Sequence, residues 1–126
     1  MPDKSSLHIL VAGPYRSGTN DDPERIAANV KAMTDTALEL YHMGHLPVLG
    51  EWFALPLIEA AGSTKTGDAI FNELFHPVAI RLLDHVDAVL RIGGASAGAD
   101  EMVHIGQSKG KTIFYSKAEI PLAEPV

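Results

Sequence analysis

The sequence predicts an α/β fold, a three-layer sandwich in which helices cover both faces of a parallel sheet of four to five strands. Two observations lead to this prediction. Short apolar runs, several of them ending in glycine, recur along the chain, and stretches of helical length separate them. Uninterrupted apolar runs of this kind are typical of strands buried on both faces of a sheet. Strands that alternate with helices form parallel sheets through right-handed crossovers.

The first half of the chain contains two predicted strands and two predicted helices. A strand at 7–13 leads into a turn-rich loop, and Asp22, followed by proline, has the pattern of a helix N-cap. Apolar residues then recur at spacings of three and four until Gly44, a residue type that commonly ends a helix. A second strand is predicted at 45–50 and a second helix at 51–61.

The second half repeats the alternation after a polar loop at 62–68. In chain order we predict a helix at 69–85, a strand at 87–94, a helix that ends near 109 and a strand at 111–116. Pro77 lies inside the first of these helices and predicts a kink or a break there, because proline removes a backbone donor.

The bulk properties indicate one globular domain. A length of 126 residues suffices for a single hydrophobic core, so we expect one domain over 1–126 with loosely attached ends at 1–6 and 117–126. The chain has no cysteine, which excludes thiolate catalysis, disulfides and Cys-based zinc sites. It shows neither a signal-peptide pattern nor a long apolar run, so we expect a cytoplasmic protein without a membrane partner.

The charge balance argues against a nucleic-acid polymer as the partner. Ten basic and sixteen acidic side chains give a formal net charge of −6, whereas binding to phosphate backbones depends on clustered lysine and arginine. A single nucleotide is compatible with this charge, since it needs only a local anion site. The six histidines lack the spacing of metal ligands, so we expect no metal and no cofactor.

Three loops converge on the carboxyl edge of the predicted sheet, where parallel sheets bind ligands. These loops cover 13–19, 50–53 and 93–101. In the first, Arg16 suits a phosphate or a carboxylate, because a planar guanidinium binds such groups through two parallel hydrogen bonds. Alternatively, this loop is a surface turn in which Arg16 pairs with a nearby acid such as Asp21.

The second and third loops carry acidic and aromatic residues. Glu51 could accept hydrogen bonds from sugar hydroxyls while Trp52 stacks on a ring. Equally, Trp52 could cover the sheet edge and Glu51 could begin the next helix. In the third loop, glycines permit close backbone approach and Ser96 can donate to a phosphate. Asp100 and Glu101 follow in the first helical turn, where acids also act simply as caps.

Four segments, taken in order, resemble one known family: ILVAGPYRSG, GHLPVLGEW, LLDHVDAVLRIGG and SAGADEMVHIGQSKGKTIFY. Their order is similar to that of the nucleoside 2-deoxyribosyltransferase superfamily, especially its small DUF4406-type branch, over 7–116. The resemblance implies a flavodoxin-like, Rossmann-like sheet. It also implies a homo-oligomer, a dimer or a tetramer, whose active sites lie near subunit contacts.

The resemblance also implies an activity. Enzymes of that superfamily cleave or exchange the N-glycosidic bond of nucleosides or nucleotides, and a glutamate at the start of the last helix attacks the anomeric carbon. Glu101 is the matching candidate here, with Asp100 as its acid–base or sugar-binding partner. In family members the glutamate often stands four residues after the loop glycine. Counted from Gly98, that position is occupied by Met102.

We therefore predict a catalytic pair, Asp100 and Glu101, and a set of substrate-binding residues. The substrate-binding set is Gly13, Tyr15, Arg16, Glu51, Trp52, Asp87, Gly94, Ser96 and Gly98. The main hypothesis is a deoxyribosyltransferase or N-glycosidase that takes a nucleoside or its monophosphate. The alternative is a non-catalytic module that binds a nucleotide or sugar phosphate through the same loops. A purely structural oligomer without a small ligand ranks third.

Overall fold

The computed structural model describes residues 6–123 and has the predicted α/β architecture. Its four strands are β1 (His8–Ala12), β2 (Leu46–Val48), β3 (Ala88–Arg91) and β4 (Thr112–Phe114). They are all parallel and lie in the order β2-β1-β3-β4. The four α-helices are α1 (Pro23–His42), α2 (Gly50–Ala60), α3 (Ala69–Leu82) and α4 (Ala97–Ser108). The result is a Rossmann-like three-layer sandwich.

The hydrophobic core lies on both faces of the central strands. Ile9 and Val11 of β1 pack with α1 on one face of the sheet. Leu10 lies between them in the sequence and packs with α4 on the other face. This alternation follows from the two-residue period of a strand, whose successive side chains point to opposite faces. Both faces of β1 and β3 are therefore covered, as the uninterrupted apolar runs predicted.

Helix α1 begins as the sequence predicted. The Asp22 side chain accepts a hydrogen bond from the backbone N–H of Glu24 at 3.4 Å, and Pro23 occupies the first helical position. The buried residues of the helix are Ile26, Met33, Ala37 and Leu40. Gly44 follows the helix with a φ of 95° in the left-handed region, which glycine adopts without strain. Among residues 6–123, no helix is both long enough and apolar enough to span a membrane.

Pro77 does not break α3, so that part of the prediction was wrong. The helix runs without interruption from Ala69 to Leu82 and continues into a 3₁₀ turn, Leu83–His85. Proline lacks the N–H that would bond to the carbonyl four residues earlier, here that of Glu73. Extensive contacts between α3 and α2 hold the helix in place despite this missing bond. Pro56 lies inside α2 in the same way, and that helix is also continuous.

The segment after β4 is docked rather than loose, which corrects the expectation for 117–126 within the described residues. A 3₁₀ turn, Lys117–Glu119, leads to Ile120, which is buried in the core beside α1. The N–H of Ala123 then donates to the carbonyl of Met43 at 2.9 Å. Residues 1–5 and 124–126 lie outside the described part of the chain.

A buried histidine ties this C-terminal segment to the sheet. His45 Nδ1 accepts a hydrogen bond from the N–H of Leu7 at 3.0 Å, and its Nε2 lies 2.7 Å from the carbonyl of Pro121. Because Nδ1 accepts, the ring proton is on Nε2, which donates to Pro121. One neutral imidazole therefore joins the start of β1 to the end of the described chain.

We expect His45→Ala to lower the free energy of unfolding by about 1–3 kcal/mol, since the buried imidazole is lost and the partly buried Leu7 N–H would lose its acceptor. Urea unfolding measures the loss, and hydrogen exchange should show faster exchange at the Leu7 amide. The exposed His42, three residues earlier, provides the control, and His42→Ala is expected to change stability by less than about 0.5 kcal/mol. Equal stability of the two variants would contradict the bridging role.

Candidate functional site

A cavity of about 190 Å³ opens at the carboxyl edge of β1, between α2, α3 and α4. Of the predicted site residues, it is lined by Gly13, Tyr15, Arg16, Glu51, Ser96 and Gly98. The three loops of the sequence prediction therefore do meet, because the parallel strands place all their carboxyl ends at one edge. Ligand pockets commonly measure about 300–1,000 Å³. A cavity of this size suits one small ring, such as a pentose, with the rest of the ligand in the open mouth.

Glu51 is the buried carboxylate of this cavity. Its side chain stands in the first turn of α2, the residue is 6% exposed, and Oε2 has no hydrogen-bond partner. Burial raises the pKa of Glu51, and its own backbone N–H offsets the rise only in part. Desolvation disfavours the charged form, so the carboxyl tends to keep its proton. A protonated carboxyl facing a cavity can act as a hydrogen-bond donor and a general acid.

Tyr15 forms part of the cavity wall beside Glu51. Its ring packs against Phe75 with centroids 4.9 Å apart, and Phe75 stacks on Phe71 at 4.8 Å. Burial, followed by the nearby Glu51 charge, raises the pKa of the Tyr15 phenol, while Arg16 lowers it. The phenol therefore stays protonated and can donate a hydrogen bond into the cavity.

Arg16 already has an acidic partner, as in the alternative interpretation of its loop. Its Nε and Nη2 donate to the two carboxylate oxygens of Asp21 at 2.7 and 3.0 Å, and Nη1 donates to Asn72 at 3.2 Å. This pair lowers the pKa of Asp21. The guanidinium also lies over the Phe71 ring, 5.5 Å from its centroid. A phosphate would have to compete with Asp21 for this side chain.

Ser96 and Gly98 form the start of α4 at the opposite wall. Ser96 is buried and caps the helix, because its hydroxyl oxygen accepts from the Ala99 N–H at 3.2 Å. It also accepts a hydrogen bond from the Ser17 hydroxyl at 3.1 Å, which joins the first loop to the third. The side chain that caps this helix is therefore Ser96, whereas the alternative interpretation gave the capping role to Asp100 and Glu101. Ser96 retains a donor hydrogen that can be directed into the cavity.

The two acids of the predicted catalytic pair do not line the cavity. The Asp100 side chain is 70% exposed and accepts a hydrogen bond from Arg91 Nε at 3.1 Å. Glu101 is 54% exposed and contacts His76 instead, with Oε2 3.2 Å from Nε2. These two atoms are within ion-pair distance but are not aligned for a hydrogen bond, since His76 Nε2 is buried without a hydrogen-bond partner. Met102, rather than either acid, contributes to the cavity wall.

Three other predicted binding residues lie outside the cavity. Trp52 is on α2 with 44% of its surface exposed, and Gly94 is an exposed loop residue whose carbonyl accepts from Arg91 at 2.8 Å. Asp87 precedes β3, and its carboxylate accepts from the N–H of His8 at 2.8 Å. Because His8 is the first residue of β1, this contact lies at the amino edge of the sheet. Asp87 thus joins two strand starts and is remote from the carboxyl edge.

The cavity is also lined by residues outside the predicted catalytic and substrate-binding sets. Phe75, His76 and Ala79 of α3 line it together with Ser17 and Met102. The three α3 residues follow the helical spacing of one, three and four positions, which places them on one face. That spacing was visible in the sequence, but it is equally typical of an ordinary core-facing stripe. Only the position of α3 beside α2 shows that this face borders a cavity.

A polar loop precedes α3 and depends on one carboxylate. Asp68 caps the helix by accepting from the Phe71 N–H at 2.9 Å, and it also accepts from the Ser63 hydroxyl and the Thr64 and Lys65 N–H groups. These bonds, led by that from Phe71, lower the pKa of Asp68 to about 2. The loop that borders Arg16 is therefore organised around an ionised side chain.

The stabilisation by Asp68 is expected to be present above its ordinary pKa of 3.8 and to be lost as the pH falls through about 2. Asp68→Ala should lower Tm by several degrees at pH 6, and the difference from the wild type should shrink steadily between pH 4 and 2. Differential scanning calorimetry across this range checks the prediction. Asp35→Ala, at an exposed acid paired with Lys31, serves as the control. A Tm difference that does not change with pH would contradict it.

The described residues 6–123 contain no group of three histidine, aspartate or glutamate side chains that could hold a metal ion. The polar groups that the cavity does bring together are a buried carboxyl, a phenol, two serine hydroxyls, an imidazole and the guanidinium of Arg16. They can donate and accept hydrogen bonds to a hydroxylated ligand and can move protons. No protein-family model matches the chain, and no curated protein matches it significantly.

Proposed function

We propose that this chain binds a nucleoside or nucleoside monophosphate in the cavity and cleaves its N-glycosidic bond. The observation that carries the proposal is the Glu51 carboxyl, which is buried, unpaired at Oε2 and part of the cavity wall. Leaving a buried polar atom without a partner costs about 1–3 kcal/mol. A ligand that bonds to this atom would recover that cost. The family resemblance of the four sequence segments supports the choice of a nucleoside as the ligand.

In this proposal Glu51 protonates the departing base. A purine or pyrimidine leaves as a poor anion, so a proton delivered to its nitrogen lowers the barrier to bond cleavage. The raised pKa of Glu51 keeps a proton available at a pH where an exposed glutamate would be ionised. Tyr15 and Ser96 supply donors for the sugar hydroxyls. Glu101 stays a candidate for the second carboxylate, placed at the cavity mouth.

The proposal is tested by incubating the purified chain with a panel of deoxynucleosides, ribonucleosides and their 5′-monophosphates. Chromatography then measures the free base. We expect base release from at least one substrate and its loss in Glu51→Gln. Asp21→Asn is informative in parallel, since it frees Arg16 from its carboxylate partner and should improve the use of monophosphates relative to nucleosides. A wild-type protein that releases no base from any substrate would refute the activity.

A non-catalytic binding module is the second candidate, and one observation favours it. Met102 stands where the resembling family has its attacking glutamate, and it contributes an apolar group to the cavity wall. A module of this kind would bind the nucleoside without turnover. Thermal-shift and base-release measurements together separate the two candidates. A nucleoside would raise the Tm of a binding module, but no base would be released. A Tm that no nucleoside or nucleotide changes would count against both.

The proposal includes self-association. Helix α2 exposes three large apolar side chains, Trp52, Phe53 and Leu57, at 44%, 50% and 53%. Exposed groups of this type are more common at protein interfaces than on free surfaces. Light scattering on the purified chain should therefore report a dimer or a tetramer, and Trp52→Glu with Leu57→Glu should shift it to the monomer. A wild-type monomer at high concentration would contradict this part of the proposal.

A further inference from the structure

His76 is a polar residue of the cavity wall that has no role in the proposed function. It lies on α3, lines the cavity, and has its Nε2 buried without a hydrogen-bond partner. The ring lies next to Gly98 at the start of α4, since a Cβ there would be in ordinary van der Waals contact with the imidazole, 3.9 Å from Cε1. A buried ring nitrogen without a bond is costly, and imidazole is the side chain best suited to proton transfer near neutral pH.

Glu101 stands next to this imidazole but not in the cavity. Its Oε2 is 3.2 Å from His76 Nε2, and half of its side chain is exposed at the mouth. His76 lines the cavity and Glu101 does not. Any influence of this carboxylate on the cavity would therefore pass through the imidazole. A rotation of the exposed Glu101 side chain would align its carboxylate with Nε2. A carboxylate aligned in this way holds the ring proton on Nε2 and leaves Nδ1 as the base.

The packing of α3 brings His76 and Glu51 to the same cavity. Ala79 lies three residues after His76, on the same helical face, and also lines the cavity. A Cβ at Gly50 would lie 3.1 Å from the Ala79 side chain, so the start of α2 is in close contact with this face. Glu51 is the next residue after Gly50. The cavity therefore combines a buried carboxyl, whose pKa burial raises, with an imidazole that has a carboxylate 3.2 Å away.

We propose that His76 is the general base and Glu101 its positioning residue, so that water cleaves the bond in one step with inversion at the anomeric carbon. The inference rests on the proposed function. His76 Nδ1 removes a proton from water as the water oxygen bonds to the anomeric carbon. The carbon–nitrogen bond breaks, its electron pair stays on the base nitrogen, and Glu51 gives that nitrogen its proton. Exchange with solvent then returns the proton from His76 to Glu51.

This arrangement differs from attack by a carboxylate. A covalent intermediate on Glu101 would need its oxygens at the anomeric carbon, would retain the configuration and would permit transfer of the sugar to a second base. The cavity wall at that position is the apolar side chain of Met102. The structure thus favours a hydrolase over a transferase.

The first test needs no variant. Wild-type protein is incubated with the best β-nucleoside found in the substrate panel, in buffer with methanol, and NMR identifies the methyl glycoside formed. Inversion gives the α-anomer, and no transfer to an added second base is expected. A β-methyl glycoside, or sugar transfer to the second base, would overturn the inference while leaving the proposed function intact. Failure to release any base would overturn both.

The second test removes the base. His76→Ala is expected to lower kcat by about 10²-fold or more, with KM changed by less than about threefold, because a general base contributes about 10²–10⁴-fold. Added imidazole should restore part of the lost rate. Glu101→Gln should lower kcat at least about tenfold without affecting KM, as expected when an orienting carboxylate is lost. His104→Ala, at an exposed histidine of α4, is the control.

Ligand-induced Tm shifts show that each variant is folded and binds nucleoside, and His76→Gln replaces His76→Ala if the alanine variant does not fold. Wild-type kcat in a folded His76 variant would overturn the assignment of the base. Two results together would remove Glu101 from the mechanism and overturn the pairing. One is a loss of activity in His76→Ala that imidazole does not restore. The other is formation of the α-anomer by Glu101→Gln at the wild-type rate.

Discussion

Glu51→Gln is expected to abolish base release while making the fold more stable at neutral pH. The variant cannot protonate the leaving base, so the rate should fall by about 10²–10⁴-fold, the usual contribution of a general acid. Stability at pH 7 should rise, because the neutral amide does not carry the desolvation cost that disfavours the charged carboxylate. Opposite signs for activity and stability distinguish a functional carboxyl from a structural one.

The pH dependence of this gain follows from the direction of the pKa shift. Burial raises the pKa of Glu51 above its ordinary value of 4.5, so the folded chain holds this proton more tightly than the unfolded chain. The favourable contribution is complete below 4.5 and is lost as the pH rises through the raised value. Urea unfolding at pH 4 and pH 8 should therefore show a larger advantage of Glu51→Gln at pH 8.

Glu59→Gln provides a matched control, since Glu59 is an exposed glutamate of the same helix. It should change neither base release nor the pH dependence of stability. If Glu51→Gln retained wild-type activity, Glu51 would have no part in catalysis. If its stability advantage were the same at pH 4 and pH 8, the carboxyl would not be the shielded group that the structure places in the cavity.

Met102→Glu is expected to lower the free energy of unfolding by about 3–5 kcal/mol, the cost of an uncompensated buried charge. Single domains are stable by only about 5–15 kcal/mol, so the change is severe. Met102 lies on the buried face of α4 and is 5% exposed. It packs in the hydrophobic core and lines the cavity that already holds Glu51. A second carboxylate at this buried position would be poorly solvated and would add a negative charge to the cavity that holds Glu51. Chemical denaturation of the two proteins measures the loss.

A double-mutant cycle tests whether residues 51 and 102 share one cavity. If they do, Glu51→Gln should relieve part of the repulsion in Met102→Glu, with a coupling energy of about 0.5–3 kcal/mol. Met102→Leu conserves the volume and should cost less than about 1.5 kcal/mol. Additive effects of the two substitutions would show that the carboxyls do not meet. A Met102→Glu variant as stable as the wild type would contradict the burial of this position.

The elements of the fold could be predicted because their signals are local. The apolar runs at β1 and β3 and the Asp22 cap reflect short-range preferences that the structure confirms. The elements for which the prediction was wrong depend on distant contacts. Contacts with α2 support α3 through Pro77. Ile120 is buried against α1, so the segment after β4 is fixed by residues that are far away in the sequence.

The sequence by itself determined the order of the strands and helices, and therefore the edge of the sheet at which three loops meet, because parallel strands direct all their carboxyl ends to one side. Only the tertiary structure decided which side chains face the cavity. Helix residues differ by about 100° in direction, so Met102 faces inward where the adjacent Glu101 reaches His76 at the mouth. Glu51 is the buried carboxyl because α3 packs against the start of α2, a contact that no local pattern encodes.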